Sequence, residues 1–190
     1  MNTQDFNFKW DINHIIDKTR FSEENEKPIQ LSNNDLTASR HERAQGDDYP
    51  PVRIFSNNFI SLDYLMKNHF AQWSIHIDST HGFIEVGIIE PSSQSTFFIK
   101  GFKNEAQHET AKDIKTFEFG ETYTTGDTIK IKLELNPTTS TSQSKTISLY
   151  LFKNDKSLGL PFKDIQIDEN TKLYPMAGLN DDGDKISIVR

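Results

Sequence analysis

Ile129, Ile131, Leu133 and Leu135 are separated by Lys130, Lys132 and Glu134. Side chains alternate faces along a strand, so this segment buries one face and wets the other, which no helix of the same residues would do. The period recurs in Trp73, Ile75 and Ile77, in Ile84, Val86 and Ile88, in Ile147, Leu149 and Leu151, and in Ile186 and Ile188. Shorter strand candidates are Ile29–Leu31, Val52–Phe55, Phe97–Ile99, Phe117–Phe119 and Ile165–Ile167. Only residues 12–18 and 62–70 have room for a two-turn helix, and neither sustains a 3.6-residue period. Many short strands with turn residues between them predict an all-β sandwich or barrel. A βαβ arrangement would need crossover helices of about a dozen residues, which the chain lacks.

The 190 residues are the length of one domain. With no cysteine, disulfides, thiolate metal sites and a cysteine nucleophile are excluded. Lysine and arginine number 21 against 28 acidic residues, a net charge of −7, which argues against a partner held by phosphate neutralisation such as a nucleic acid. No apolar run approaches the roughly 20 residues of a membrane helix, and MNTQDFNFKW has neither a basic nor an apolar signal region. The expectation is an intracellular, cytoplasmic protein without membrane insertion.

Residues 1–20 read as an aromatic arm on a domain spanning 21–190. Phe6, Phe8, Trp10 and Ile12 alternate, and such a cluster either packs on the domain's own edge, the favoured reading, or inserts into a partner. Residues 40–51 combine charge, Gly46 and Pro50-Pro51 and read as a long surface loop. Residues 136–146 hold seven serines and threonines and no large apolar residue, so they read as a flexible hairpin loop, with phosphorylation the sharper alternative.

Catalytic and metal patterns are missing. There is no Gly-x-Ser-x-Gly elbow and no phosphate-binding glycine motif. The six histidines are scattered, and His76 and His81 bracket a turn without further ligands. Asn180–Asp184 (NDDGD) lacks the glycine and glutamate spacing of an EF-hand loop. Glu85 and Glu90 stand five residues apart, on opposite faces of a regular strand, so they do not converge as a glycosidase pair and read as exposed strand residues. No cofactor and no metal are expected.

Six segments carry a family resemblance. YLFKNDKSLGLPFKDI (150–165) places a two-residue turn at Asn154-Asp155 and a bulge or close approach at Gly159. LYPMAGLNDDGDKISI (173–188) is a strand, a loop and a final strand, and YTTGDTIKIKL (123–133) precedes them. With IQLSNNDLTAS (29–39), WSIHID (73–78) and FIEVGI (83–88) in order, the chain resembles the SPRY (B30.2) family over residues 21–190. It departs from the family in having Thr96–Gly101 where Ser-Trp-Gly is frequent, and Asp155 in place of the turn glycine.

The resemblance implies a bent sandwich of two antiparallel sheets. It also implies a non-catalytic module that binds a peptide or protein surface through loops at one end, as an adaptor or subunit of a larger assembly. Transferred by position, these loops are 40–49, 90–96 and 180–184. The candidate partner-binding residues are Arg40, Arg43, Asp47, Asp48, Tyr49, Glu90, Ser92, Gln94, Asn180, Asp181, Asp182 and Asp184. An acidic rim there favours a partner with a basic segment. The alternative on the same architecture is a carbohydrate-binding module, with Tyr64, Phe102 and Trp10 as candidate platforms and Trp73 assigned to the core.

Overall fold

The structure is a computed structural model that describes residues 5–16, 29–41, 51–137 and 145–190. In chain order the first strands are β1 (Trp10–Ile16), β2 (Ile29–Ser32), β3 (Thr37–Arg40), β4 (Val52–Ser56) and β5 (Ile60–Ser61). A helix, α1 (Leu62–Asn68), leads into the long β6 (Phe70–Ser79). Then come β7 (Ile84–Glu90), β8 (Ser95–Lys100), β9 (Glu105–Glu109) and β10 (Ile114–Glu118). The chain ends with β11 (Thr128–Leu135), β12 (Lys145–Lys153), β13 (Lys156–Ile167), β14 (Lys172–Leu179) and β15 (Lys185–Val189).

The strands form two antiparallel sheets, in the orders β1-β4-β14-β7-β8-β9-β10 and β13-β12-β11-β6-β15-β3-β2, with β5 beside β14. The period-two segments lie where alternation demands. Ile129, Ile131 and Leu133 are fully buried between the sheets, beside Trp73 and Ile75 of β6 and Leu149 and Leu151 of β12.

Of the two helix candidates, the second is helical over Leu62–Asn68. Ser61 caps α1 by accepting from the Tyr64 N–H at 3.1 Å, and His69 ends it with φ of 67°. Residues 12–16 instead continue β1, which pairs with β4. The aromatics before them turn inward: Phe6, Phe8 and Trp10 are buried, with Trp10 edge-on to Phe8 and Phe8 edge-on to Trp73. This segment therefore contributes to the main core.

Asn154 and Asp155 take φ of 48° and 64°, the pair of positive values that a two-residue β12–β13 turn requires. Gly159 at φ 110° lies where the β12–β13 register shifts, so the bulge read from the sequence is present. Most of the expected 40–51 loop and of the serine/threonine-rich stretch lies outside the described residues.

Candidate partner-binding surfaces

Three loops were expected to share one end, and the register separates them. Leu179 pairs with Ile84 at one end of the β14–β7 ladder, and Tyr174 pairs with Ile89 at the other. The 180–184 loop leaves the first end and the 90–96 hairpin leaves the second, about 17 Å away along the strands. Glu90, Ser92 and Gln94 therefore do not join Asn180–Asp184. Arg40 does, because its N–H donates to the Asp184 carbonyl at 2.9 Å. Arg43, Asp47, Asp48 and Tyr49 lie outside the described residues.

Several nominated side chains face inward. Arg40 is buried and its Nη1 donates to the Leu179 carbonyl at 2.7 Å. Asp184 is fully buried and accepts from the backbone N–H of His81, Asn180 and Asp181 at 2.8–2.9 Å. It ties the β14–β15 loop to the β6–β7 turn. Burial raises its carboxyl above the ordinary range and Asp181 adds to this, against the three N–H donors. Glu90 is also buried. Burial opposes its ionisation, but hydrogen bonds from Ser92 and Ser93 outweigh this and hold the carboxyl below the usual range. These three residues shape their loops rather than presenting charge.

The surface at the Asn180–Asp184 end is built from neighbouring turns. Across it run the β14–β15 loop, the β6–β7 turn and the β8–β9 turn. Asp182 is exposed on the first, and Phe102, 65% exposed, stands on the last, about two strand spacings or 10 Å away. Between them the Lys100 ammonium lies 5.4 Å from the Phe83 ring centre. Gly82 lets the Asp181 carboxylate lie against the β6–β7 turn, where a Cβ would displace it. Of the carbohydrate platforms, Trp10 is buried and Tyr64 half-buried, which leaves Phe102.

The outer face of the first sheet holds an ion triad that the sequence reading missed. Arg53 Nε donates to Glu85 Oε2 at 2.7 Å and its Nη1 to Glu109 Oε2 at 2.8 Å. The guanidinium lies 4.4 Å over the Phe98 ring. Burial works against this charge, but the two carboxylates more than offset it, so the arginine is held more firmly protonated. Glu85, expected on the surface, is 1% exposed: β7 is covered on both faces. Gly178 opposite Glu85 leaves the carboxylate its space, because a Cβ there would come within 2.9 Å of Oε2. Glu85 points to this outer face while Glu90 caps the hairpin, so the two do not converge. The available signal was a charge inside an apolar run, as in Val-Arg-Ile-Phe and Phe-Ile-Glu-Val.

No protein-family model matches the sequence, and no curated protein matches it. Solved structures do match. A crystal structure of a human SPRY domain aligns with a TM-score of 0.58 at 18% identity, covering 85% of this chain and 94% of that one. The crystal structure of the TRIM65 PSpry domain aligns at 0.59 and 10% identity, covering 97% of this chain and 93% of that one. The chain has the SPRY fold. At these identities the likeness establishes architecture, and the side chains of the surfaces are this chain's own.

The SPRY sandwich also carries a cleft of about 780 Å³ between β10 of one sheet and β13 of the other, unnoticed in the sequence. Its aromatic wall stacks Phe97 on His108 at 4.1 Å and sets Phe162 edge-on to Phe97 and Phe117. Burial, then the Lys115 charge, hold the His108 imidazole below its ordinary value, with Asp113 opposing. A depressed folded pKa means this contribution to stability is present above the unfolded value of 6.5 and is lost as pH falls through the folded one. Urea midpoints compared at about pH 7.5 and about pH 5.5 are expected to fall more for the wild type than for His108→Gln.

Proposed function

We propose that this chain is a non-catalytic protein-interaction module, an adaptor or subunit that binds a partner segment at the end formed by the β6–β7, β8–β9 and β14–β15 turns. The observation that carries this reading is the exposed Phe102 beside the acidic Asp181–Asp182 loop, both on turns fixed by strand pairing and by the buried Asp184. An exposed aromatic supplies apolar area with little rotamer entropy to lose, and the neighbouring carboxylates favour a basic segment by steering. The SPRY fold supports it as a rigid sandwich that displays loops. Glu85 and Glu90 are each locked in structural hydrogen bonds and do not form a catalytic pair. Among the described residues, no helix is long and apolar enough to cross a membrane.

Selection of displayed peptides on the purified chain is expected to enrich sequences pairing an apolar residue with lysine or arginine. Phe102→Ser and Asp182→Lys should each weaken binding of a selected peptide about tenfold or more, a loss of about 1.4 kcal/mol. Unchanged affinity in both variants overturns this placement of the site, and binding to a glycan array without peptide enrichment favours the carbohydrate reading.

A further inference from the structure

Among the described residues the two sheets end in four edge strands, and three of these are irregular or short. β13 is interrupted by register shifts and carries Gly159 and Pro161, β1 shifts register between Trp10 and Ile15, and β2 has four residues. Such features are how sheets avoid pairing with strangers. β10 is also short, at five residues, but Ile114–Glu118 runs against β9 without a shift, contains no proline or glycine, and is exposed along its whole length.

The direction of its unpaired groups follows from the ladder. The Thr110 N–H donates to the Asp113 carbonyl, and the Phe119 N–H to the Asn104 carbonyl. Hydrogen-bonded pairs recur every second residue in an antiparallel ladder, so Lys115 and Phe117 also bond towards β9. The N–H and C=O groups of Ile114, Thr116 and Glu118 therefore point away from the sheet. On the same strand Lys115 and Phe117 line the aromatic cleft.

The cleft is lined by three carboxylates and two lysines. Hydrogen bonds from neutral groups fix the acids and leave them charged: Glu90 is held by Ser92 and Ser93, Asp164 by Asn136, and Asp168 by Asn170 and Thr171, and none of them forms an ion pair with Lys115. Lys115 and Lys163 have no ion pair among the described residues.

We infer that β10 accepts an extended segment of a partner protein as an added strand, with a large apolar residue opposite Phe117 and an acidic residue opposite Lys115. Main-chain hydrogen bonds to Ile114, Thr116 and Glu118 supply the common affinity, and the alternate side chains supply the specificity. In the antiparallel direction the acid follows the apolar residue by two positions. A second copy of the folded chain is a poorer occupant: two sandwiches meeting along five residues leave the cleft unfilled and fall short of the ~1,200 Å² of a stable interface. The Glu118 end of this strand adjoins the β8–β9 turn that carries Phe102, where the Phe119 N–H donates to the Asn104 carbonyl, so the two readings are told apart by variants: Thr116→Pro tests the edge and Phe102→Ser the turn.

The test uses the full chain and a labelled peptide, Thr-Val-Thr-Phe-Thr-Asp-Thr-Thr, with a matched peptide in which lysine replaces the aspartate. Saturable binding is expected, at least tenfold weaker for the lysine peptide, with slowed hydrogen exchange at Ile114, Thr116 and Glu118. Thr116→Pro removes an outward N–H while sparing every bond to β9, so the variant should melt within about 2 °C of wild type and bind at least tenfold more weakly. Phe117→Ser gives a second reading of the cleft. Equal binding of both peptides, unaltered exchange at the three amides, or undiminished binding by Thr116→Pro overturns the inference. So does sedimentation as a dimer that Thr116→Pro dissolves, since the occupant would then be a second copy.

Discussion

Arg53→Ala is expected to cost about 3–5 kcal/mol and to lower the melting temperature by roughly 10 °C. The loss exceeds that of an ordinary ion pair because of what remains. Glu85 is 1% exposed, and its Oε1 already lacks a hydrogen-bond partner. Without Arg53 its other oxygen loses its donor too, leaving a carboxylate buried against Gly178. The mechanism has a second signature. Replacing both members, Arg53→Met with Glu85→Leu, is expected to recover most of the stability, because a buried pair gains little over well-packed apolar groups once its desolvation is counted. Glu109, on the rim of the triad, can rehydrate in the double variant. Thermal melts of the single and double variants read this directly, and a double variant no better than the single would show that the arginine acts by packing on Phe98 alone.

The second large effect concerns the aromatic segment before β1. Trp10→Ala is expected to cost about 3–5 kcal/mol, whereas Trp10→Phe should cost less than about 1.5 kcal/mol. The indole is 2% exposed and its Nε1 has no hydrogen-bond partner, so its contribution is apolar contact with Phe8 and the core. A chain beginning at residue 21 would lose Phe6, Phe8, Trp10 and the whole of β1, and is expected not to give a cooperative melt. A cooperative melt within about 5 °C of the full chain would show instead that the segment is an accessory arm.

The strands that bury one face were legible in advance. β6, β11, β12 and β15 all lie where alternation put them, since a one-residue error would move every isoleucine into water, whereas β7 lies in place but is buried on both faces. β3 and β9 were not. Thr37–Arg40 and Glu105–Glu109 carry few large apolar residues, and their strand character comes from ladder partners distant in sequence. Residues 12–16 illustrate the same limit: Ile-Asn-His-Ile-Ile reads equally well as a short helix until β4 offers its hydrogen bonds.

The candidate surfaces were less legible. Asp182 stayed on the surface as expected, but Asp184, two residues along in the same acidic run, became a buried acceptor for three N–H groups. Charge in a short loop says nothing about which side chain turns inward. Glu85 was misread for a related reason: its neighbours suggested an exposed alternate position, while its partners Arg53 and Glu109 lie 32 residues before and 24 after it.

By itself the sequence determined that this chain builds antiparallel sheets without disulfides, which faces of the period-two strands are buried, and that Asn154-Asp155 turns a hairpin. These follow from alternation and local backbone preference, which act over a few residues. Only the tertiary structure decided that the 90–96 hairpin and the 180–184 loop stand at opposite ends, that Arg53 joins two distant glutamates, and that β10 keeps an unbulged edge over an aromatic cleft. Each of these depends on strand order and register, which pair residues far apart in sequence through main-chain groups that every residue shares.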